Sequence, residues 1–177
     1  MYKIILIICS IALAIWYFCL HTNKLSHHTD KTPILDLRKF FDGDLEGWGM
    51  FFDHMGRQKS SFHITLKGRW VENKGKLDEW FEFDDGRKLT RSWDLEFKDH
   101  GLFIGSSSDV PGGATGEQKG NAANIHYNIK VPYKDSTIEL KMDDWMYGID
   151  ENTVMNRTKM YKWGFPVGEM VLLMRKK

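Results

Sequence analysis

The chain has 177 residues, enough for one domain that buries a hydrophobic core without a metal or disulfide staple. Its 25 basic and 24 acidic residues leave a formal charge of +1, which excludes the basic excess expected of a nucleic-acid-binding domain. Aromatic residues make up 14% of the sequence and recur in alternating segments, a pattern typical of half-buried β-strands. Composition therefore predicts one β-rich domain with no nucleic-acid partner.

The first twenty residues form a separate membrane-targeting segment. The uncharged run from Ile4 to Leu20 would reach about 26 Å as a helix, close to the hydrocarbon thickness of a bilayer. The bulky end of this run, AIWYFCL, disfavours simple signal-peptide cleavage. Lipidation of Cys19 stays open, although Phe18 stands where lipoprotein signals carry a small residue. We expect residues 1–20 to form one uncleaved N-terminal transmembrane helix, with the rest of the chain outside the cytoplasm.

A polar linker, residues 21–36, is expected to separate this segment from a folded domain at residues 37–177. The body of that domain reads as strands and turns. The stretch SSFHITLKGRW places Phe62, Ile64 and Leu66 on one side of a strand and polar residues on the other. Further short strands follow, each bounded by Gly, Pro, Asn or Asp.

A hairpin is predicted around the turn sequence DDG. A three-residue loop, residues 85–87, would place Phe81 opposite Arg91 and Glu79 opposite Trp93. Alternating side chains on the two strands would then share one side of the sheet.

About eight to ten short strands in one domain must close their edges. The sequence therefore predicts an all-β fold, an antiparallel up-and-down barrel, with a β-sandwich as the alternative. The Gly-rich stretch from Asp109 to Asn121 is expected to form a loop or a bulged strand at a barrel mouth.

Two charged residues of the hairpin, Glu79 and Arg91, fall on its predicted inner face. A buried carboxylate beside a buried guanidinium is tolerated as a hydrogen-bonded pair. The pair could lock the register of the barrel or bind the polar head of a ligand, and the structural role is the favoured interpretation.

The motif MDDWMY places two carboxylates side by side, Asp143 and Asp144. Adjacent residues of a strand point to opposite faces, so the two cannot share a proton or one metal ion without a bulge. The strand period sends Asp144 inward with Met142. Its nearest candidate partners are the amide of Asn156 and the basic residues Arg157 and Lys159, which favours a structural polar network.

Histidine and serine give little support for catalysis. The histidines have no zinc-binding spacing, and the serines of GSSSD lack a nucleophile elbow and a histidine partner. Both cysteines lie in the N-terminal run, so the body has no thiol for a metal site. We therefore expect no metal, no cofactor and no assigned catalytic residue.

Several motifs in order, among them FFDGDLEGWGMFFDHMG, FEFDDGRKLTRSWDL, GGATGEQKGNA and NRTKMYKWGFPVGEM, resemble an uncharacterised bacterial envelope family, domain of unknown function 3833. The likeness runs from about Leu37 to the C-terminus. It implies a small lipocalin-like barrel, often made as a lipoprotein, whose gene often lies near genes for fatty-acid modification. A bacterial inner-membrane location with the barrel on the periplasmic side is then expected, or a lipid-anchored envelope protein as the alternative.

The function expected from these patterns is passive binding of a lipid or other small hydrophobic molecule inside the barrel. An enzyme acting on a fatty-acid derivative, with a buried carboxylate as acid or base, is one alternative. A structural or interaction module with a packed interior is the other. The candidate ligand-binding residues are Trp70, Glu79, Phe81, Arg91, Trp93, Met142, Asp144 and Asn156.

Overall fold

The computed structural model describes residues 2–20, 23–133 and 136–177, and for residues 11, 12 and 14–20 it describes the backbone alone. Two α-helices precede the sheet, α1 (Tyr2–Leu20) and α2 (Leu37–Phe40). The strands are β1 (Gly43–Asp53), β2 (Gln58–Val71), β3 (Lys74–Phe83), β4 (Lys88–Phe97), β5 (Leu102–Ser106), β6 (Ala114–Lys119), β7 (Ala122–Tyr133), β8 (Ser136–Gly148), β9 (Thr153–Lys162) and β10 (Phe165–Lys176).

The strands form one closed antiparallel barrel. Each strand pairs with the next along the chain, and β1 closes the sheet by pairing with β10. Closure gives every strand two neighbours and so removes most of the exposed edges that invite aggregation. The predicted all-β, up-and-down barrel of about eight to ten strands is confirmed. The Gly-rich stretch contributes a loop and then the regular strand β6.

The two-residue period of β2 creates the inner surface of the barrel. Phe62, Ile64 and Leu66 are buried, while His63, Thr65 and Lys67 between them are half-buried or exposed. The same alternation along the other strands lines the interior of the barrel with apolar side chains that form one contiguous core.

Helix α2 closes one end of the barrel. Asp36 caps the helix because its carboxylate accepts hydrogen bonds from two backbone N–H groups of the first turn. Leu37, Phe40 and Phe41 are then buried against the strand ends. A Cβ at Gly68 would lie 1.6 Å from the carbonyl oxygen of Phe41, so only glycine admits this close packing of the helix end on β2.

The hairpin of β3 and β4 differs from its predicted register. Glu79 lies directly opposite Arg91, and Phe81 lies opposite Leu89. The three-residue loop is 84–86 and not the predicted 85–87, because Glu82 pairs with Lys88 and the N–H of Phe83 donates to the carbonyl of Arg87. Asp84 belongs to the turn, where its carboxylate accepts hydrogen bonds from residues 60 and 61 of β2. The register moves by two residues, an even number, so each side chain keeps its predicted face.

One part of the barrel wall is formed by a loop. Strand β4 pairs with β5 only over residues 94–97, and β7 pairs with β6 only over residues 122–127. Between the unpaired parts of β4 and β7 lies the segment Ser107–Gly113, named here the wall loop. Val110 of this loop is buried in the core, and the N–H of Lys130 on β7 donates to the carbonyl of Asp109 at 2.8 Å.

Part of the predicted linker packs on the barrel. Residues 25–28 form a 3₁₀ turn that buries His28, whose ring lies 3.0 Å from Asn121 Oδ1 and 3.2 Å from Asn23 Oδ1. The imidazole also contacts the ring of Trp145. A Cβ at Gly120 would lie 1.6 Å from the carbonyl oxygen of His28, and Gly120 has a positive φ of 55°. Glycine at this position therefore permits the docking.

The predicted transmembrane helix is not found. Helix α1 covers the expected run, but no helix among the residues described above is long and apolar enough to cross a membrane. Cys19, the candidate lipidation residue, has its side chain outside the described part of the chain.

Candidate functional site

The interior of the barrel contains a cavity of about 420 Å³. This volume lies in the range of pockets that hold small organic ligands. The wall is predominantly aliphatic and aromatic, and the cavity extends from Leu37 of α2 to Arg87 in the turn between β3 and β4. The sequence-predicted residues that line it are Glu79, Phe81, Arg91, Trp93, Met142, Asp144 and Asn156.

Trp70 is the predicted lining residue that lies elsewhere. It occupies the end of β2, where its indole packs on Gly75 and meets Phe97 edge-on at 5.4 Å. The predicted inward face of β2 is confirmed. Trp70 lies at the end of this strand, beside α2 and outside the cavity. The indole Nε1 is buried without a hydrogen-bond partner.

An acidic and basic pair lies on the wall formed by β3 and β4. Glu79 and Arg91 face each other across the hairpin, with Arg91 Nη1 3.8 Å from Glu79 Oε2. This separation allows ionic attraction and is too long for a hydrogen bond. Arg91 instead donates from Nε to Asp109 Oδ2 at 2.9 Å, while Ser107 donates to the other oxygen of Asp109 at 2.9 Å. The guanidinium therefore ties the cavity wall to the wall loop.

Glu79 carries an unusual carboxyl group. Burial raises the pKa of Glu79 to about 7 from its ordinary value of 4.5. The positive charge of Arg91 and then a hydrogen bond with the Trp93 side chain oppose this rise. Its Oε2 atom is buried without a hydrogen-bond partner. A group of this pKa exchanges its proton near neutral pH, and its free oxygen can accept a hydrogen bond from a molecule in the cavity.

Asp144 on β8 is the second interior carboxyl, and its oxygens are well supplied with donors. Asn156 donates to Oδ1 from its side-chain amide, Thr158 donates to the same oxygen at 2.9 Å, and Tyr127 donates to Oδ2 at 3.4 Å. Burial nevertheless raises the pKa of Asp144 to about 6 from 3.8. The network resembles the predicted structural arrangement, with the amide of Asn156 as the partner.

Asp143 and Asp144 do point to opposite faces of β8. Asp143 accepts a hydrogen bond from Asn124 at 2.9 Å and lies 3.7 Å from the ring nitrogen of His126. The basic candidate Arg157 is likewise on the outer face, where it pairs with Glu169. The two aspartates therefore do not form a catalytic or metal-binding pair.

Sequence reasoning missed three polar members of the site. Thr158 and Tyr127 both bind Asp144, and the inward period that selected Asn156 would also have selected Thr158 two residues later. Asp109, the partner of Arg91, lies in an irregular loop, for which periodicity gives no signal. Among the described residues, no cluster of three or more His, Cys, Asp or Glu side chains could hold a metal ion.

The outer surface near the wall loop carries an open groove of about 640 Å³. Glu79 and Arg91 border this groove as well as the interior cavity, together with residues 106–108. Glu79 and Arg91 therefore lie between the interior cavity and the outer groove.

Comparisons with known proteins agree with this architecture. A family model described as "Protein of unknown function (DUF3833)" matches residues 14–176. No curated protein matches the chain. The fold is similar to that of a protein of unknown function from the DUF3598 family of Nostoc punctiforme PCC 73102, with a TM-score of 0.56 and 15% identity. That match covers 83% of this chain and 51% of the other, so the chain spans about half the length of that protein.

A second similar structure is the S-type phycobiliprotein lyase CpeS from Guillardia theta. Its TM-score is 0.58 at 10% identity, and the match covers 88% of this chain and 99% of the lyase. At these identities, both structures show a common barrel fold.

Proposed function

The chain belongs to the DUF3833 family of proteins of unknown function, and we propose that it is a binding protein for a lipid or other small hydrophobic molecule. The observation that carries the proposal is the interior cavity of about 420 Å³ with its aliphatic and aromatic wall. A fully packed interior, as expected of a purely structural module, is inconsistent with this volume.

The proposed mechanism is passive. Apolar surface that leaves water for the cavity gains about 25 cal/mol per Å². Side chains such as Phe81, Trp93 and Met142 supply apolar contacts, while Glu79 and Asp144 offer a small number of polar ones. This combination is typical of sites in which apolar contacts give affinity and a few polar groups fix orientation.

The proposal is tested by titrating the protein with diphenylhexatriene, an apolar fluorescent probe without polar groups. We expect saturable binding of one probe per chain. Ile129→Trp places an indole in the cavity and should weaken probe binding by about tenfold or more. Ile104→Trp, on the outer face of β5, is the matched control and should bind normally. Absence of saturable binding by the folded protein would refute the proposal.

Mass spectrometry addresses the natural ligand. The protein is extracted from its own cells under native conditions, and the molecules that remain bound are identified. Wild type should retain a hydrophobic compound that Ile129→Trp has lost. Equal amounts in both samples would indicate background lipid.

A second candidate function is an enzyme that acts on a fatty-acid derivative. Glu79 favours it, because a carboxyl with a pKa of about 7 and a free oxygen in a cavity suits general acid or base catalysis near neutral pH. Incubation of wild type and Glu79→Gln with a cellular lipid extract separates this function from passive binding. A mass change produced by wild type and lost in Glu79→Gln would support the enzyme.

We also propose attachment to the bacterial envelope, with the barrel on the outer side of the inner membrane. The support is the uncharged sequence from Ile4 to Leu20, which the proposal takes as a single-pass anchor or, alternatively, as a lipoprotein signal that uses Cys19. Among the described residues no membrane-spanning helix is found, so the proposal rests on the sequence alone. The intact mass of the cellular protein distinguishes the two. A full-length mass supports an anchor, and loss of the residues before Cys19 with an added diacylglyceryl group supports lipidation.

A further inference from the structure

The charged groups that line the cavity differ in the partners that they already have. Among the described lining residues these are Glu79, Asp144, Arg91 and Arg87. Arg91 is bound by Asp109 and attracted by Glu79. Arg87 lies in the β3–β4 turn, where it pairs with the neighbouring acidic residue of its own turn and is 64% exposed. Among the lining residues that the structure describes, every cation is therefore already paired with a carboxylate.

The two carboxyl groups of the inner wall also differ in the hydrogen bonds that they accept. Asp144 receives three side-chain hydrogen bonds, from Asn156, Thr158 and Tyr127. Glu79 Oε2 receives none, and it is buried. A buried acceptor without a partner costs free energy until a donor reaches it. What this oxygen of Glu79 lacks is a hydrogen-bond donor.

We propose that the cavity selects apolar molecules whose polar end is a hydrogen-bond donor, a hydroxyl or an ammonium group, placed against Glu79. Molecules that end in a carboxylate or phosphate are disfavoured. The inference rests on the proposed binding function and specifies the chemical class of its ligand.

Electrostatics argues against an anionic head group. At a pH where both carboxyls are ionised, an anion at the inner wall would lie near the negative charges of Glu79 and Asp144, with the nearby guanidinium of Arg91 already held by Asp109. Like charges repel strongly where water is excluded. The reverse orientation, with the anion near Arg87, would leave an apolar tail against the polar wall and Glu79 Oε2 still unpaired. A donor head group supplies the absent hydrogen bond, and an ammonium adds charge attraction when Glu79 is ionised.

The test compares three molecules of equal chain length as competitors for bound diphenylhexatriene: dodecanol, dodecylammonium and dodecanoate. Each is used below the concentration at which it aggregates. We expect dodecanol and dodecylammonium to displace the probe at concentrations about tenfold or more below that of dodecanoate.

Variants of Glu79 assign the selectivity to that side chain. Glu79→Leu removes the acceptor and should reduce the preference for the alcohol over dodecanoate to less than about threefold, with both competitors measured against the affinity of that variant for the probe. Glu79→Gln keeps an acceptor but no charge, so it should weaken binding of the ammonium more than that of the alcohol. Glu82→Leu changes an exposed carboxylate on the outer face of the same strand and should retain the wild-type ranking.

The outcomes separate this inference from the proposed function. Dodecanoate binding as tightly as dodecanol, with normal probe binding, would overturn the inference and leave the binding function standing. A wild-type ranking in both Glu79 variants would overturn the role of Glu79. A folded protein that binds no probe would overturn the proposed function, and the inference with it.

Discussion

Ionisation of Glu79 is expected to make the barrel less stable as pH rises. The carboxyl has a pKa of about 7 in the folded protein against 4.5 for an ordinary glutamate, so the folded state holds the proton more tightly than the unfolded chain. Stability is therefore greatest below the unfolded pKa and falls as pH rises towards 7. Above pH 7 the full penalty applies, and the difference amounts to about 3 kcal/mol.

Glu79→Gln removes this ionisation with little change in shape. Urea unfolding of wild type and variant is compared from about pH 4 to about pH 8. The free energy of unfolding of wild type should decline relative to that of Glu79→Gln by about 3 kcal/mol over this range. Glu82→Gln, on the exposed face of β3, should follow wild type. Parallel curves for wild type and Glu79→Gln would refute the reasoning, because they would mean that Glu79 ionises at the same pH in both states.

Three further variants probe the site and its supports. Thr158→Val removes one donor from Asp144 and should lower the free energy of unfolding by about 1–3 kcal/mol in urea titrations, whereas an unchanged midpoint would contradict the hydrogen bond. Asp109→Asn weakens the charged tie to Arg91 and should speed amide hydrogen exchange in the wall loop, while protection equal to wild type would show that the tie is dispensable. Gly120→Ala inserts a methyl group against the docked segment and should expose residues 25–28 to limited proteolysis; a resistant variant would contradict close packing there.

Periodicity predicted the barrel and most of its interior because both depend on which face of a strand a side chain occupies. The hairpin illustrates this point. The predicted loop lies one residue too far along the chain, yet Glu79 and Arg91 still face the cavity because the register changes by two residues, an even number. The same two-residue period predicts Asp144 inside and Asp143 outside, as the structure has them, and so excludes a carboxylate pair.

Features that depend on irregular backbone could not be predicted in this way. The bond from Arg91 to Asp109 requires the wall loop to fold back between two strands, and no sequence period describes that path. Burial of His28 depends on the absence of a side chain at Gly120, far along the chain. Trp70 shows the remaining limit, because alternation gives the face of a strand and not the extent of the cavity along it.

The pairing of β1 with β10 also fixes when the interior cavity can close during synthesis. Leu45 lies opposite Lys176, so the first strand waits for the last before the barrel can close. Until β10 leaves the ribosome, β1 and β9 each present an unpaired edge and the interior is open to water. Such distant pairing is also slow to form. The enclosed cavity is therefore the last feature that the growing chain acquires, and a chain cut before β10 would lack it.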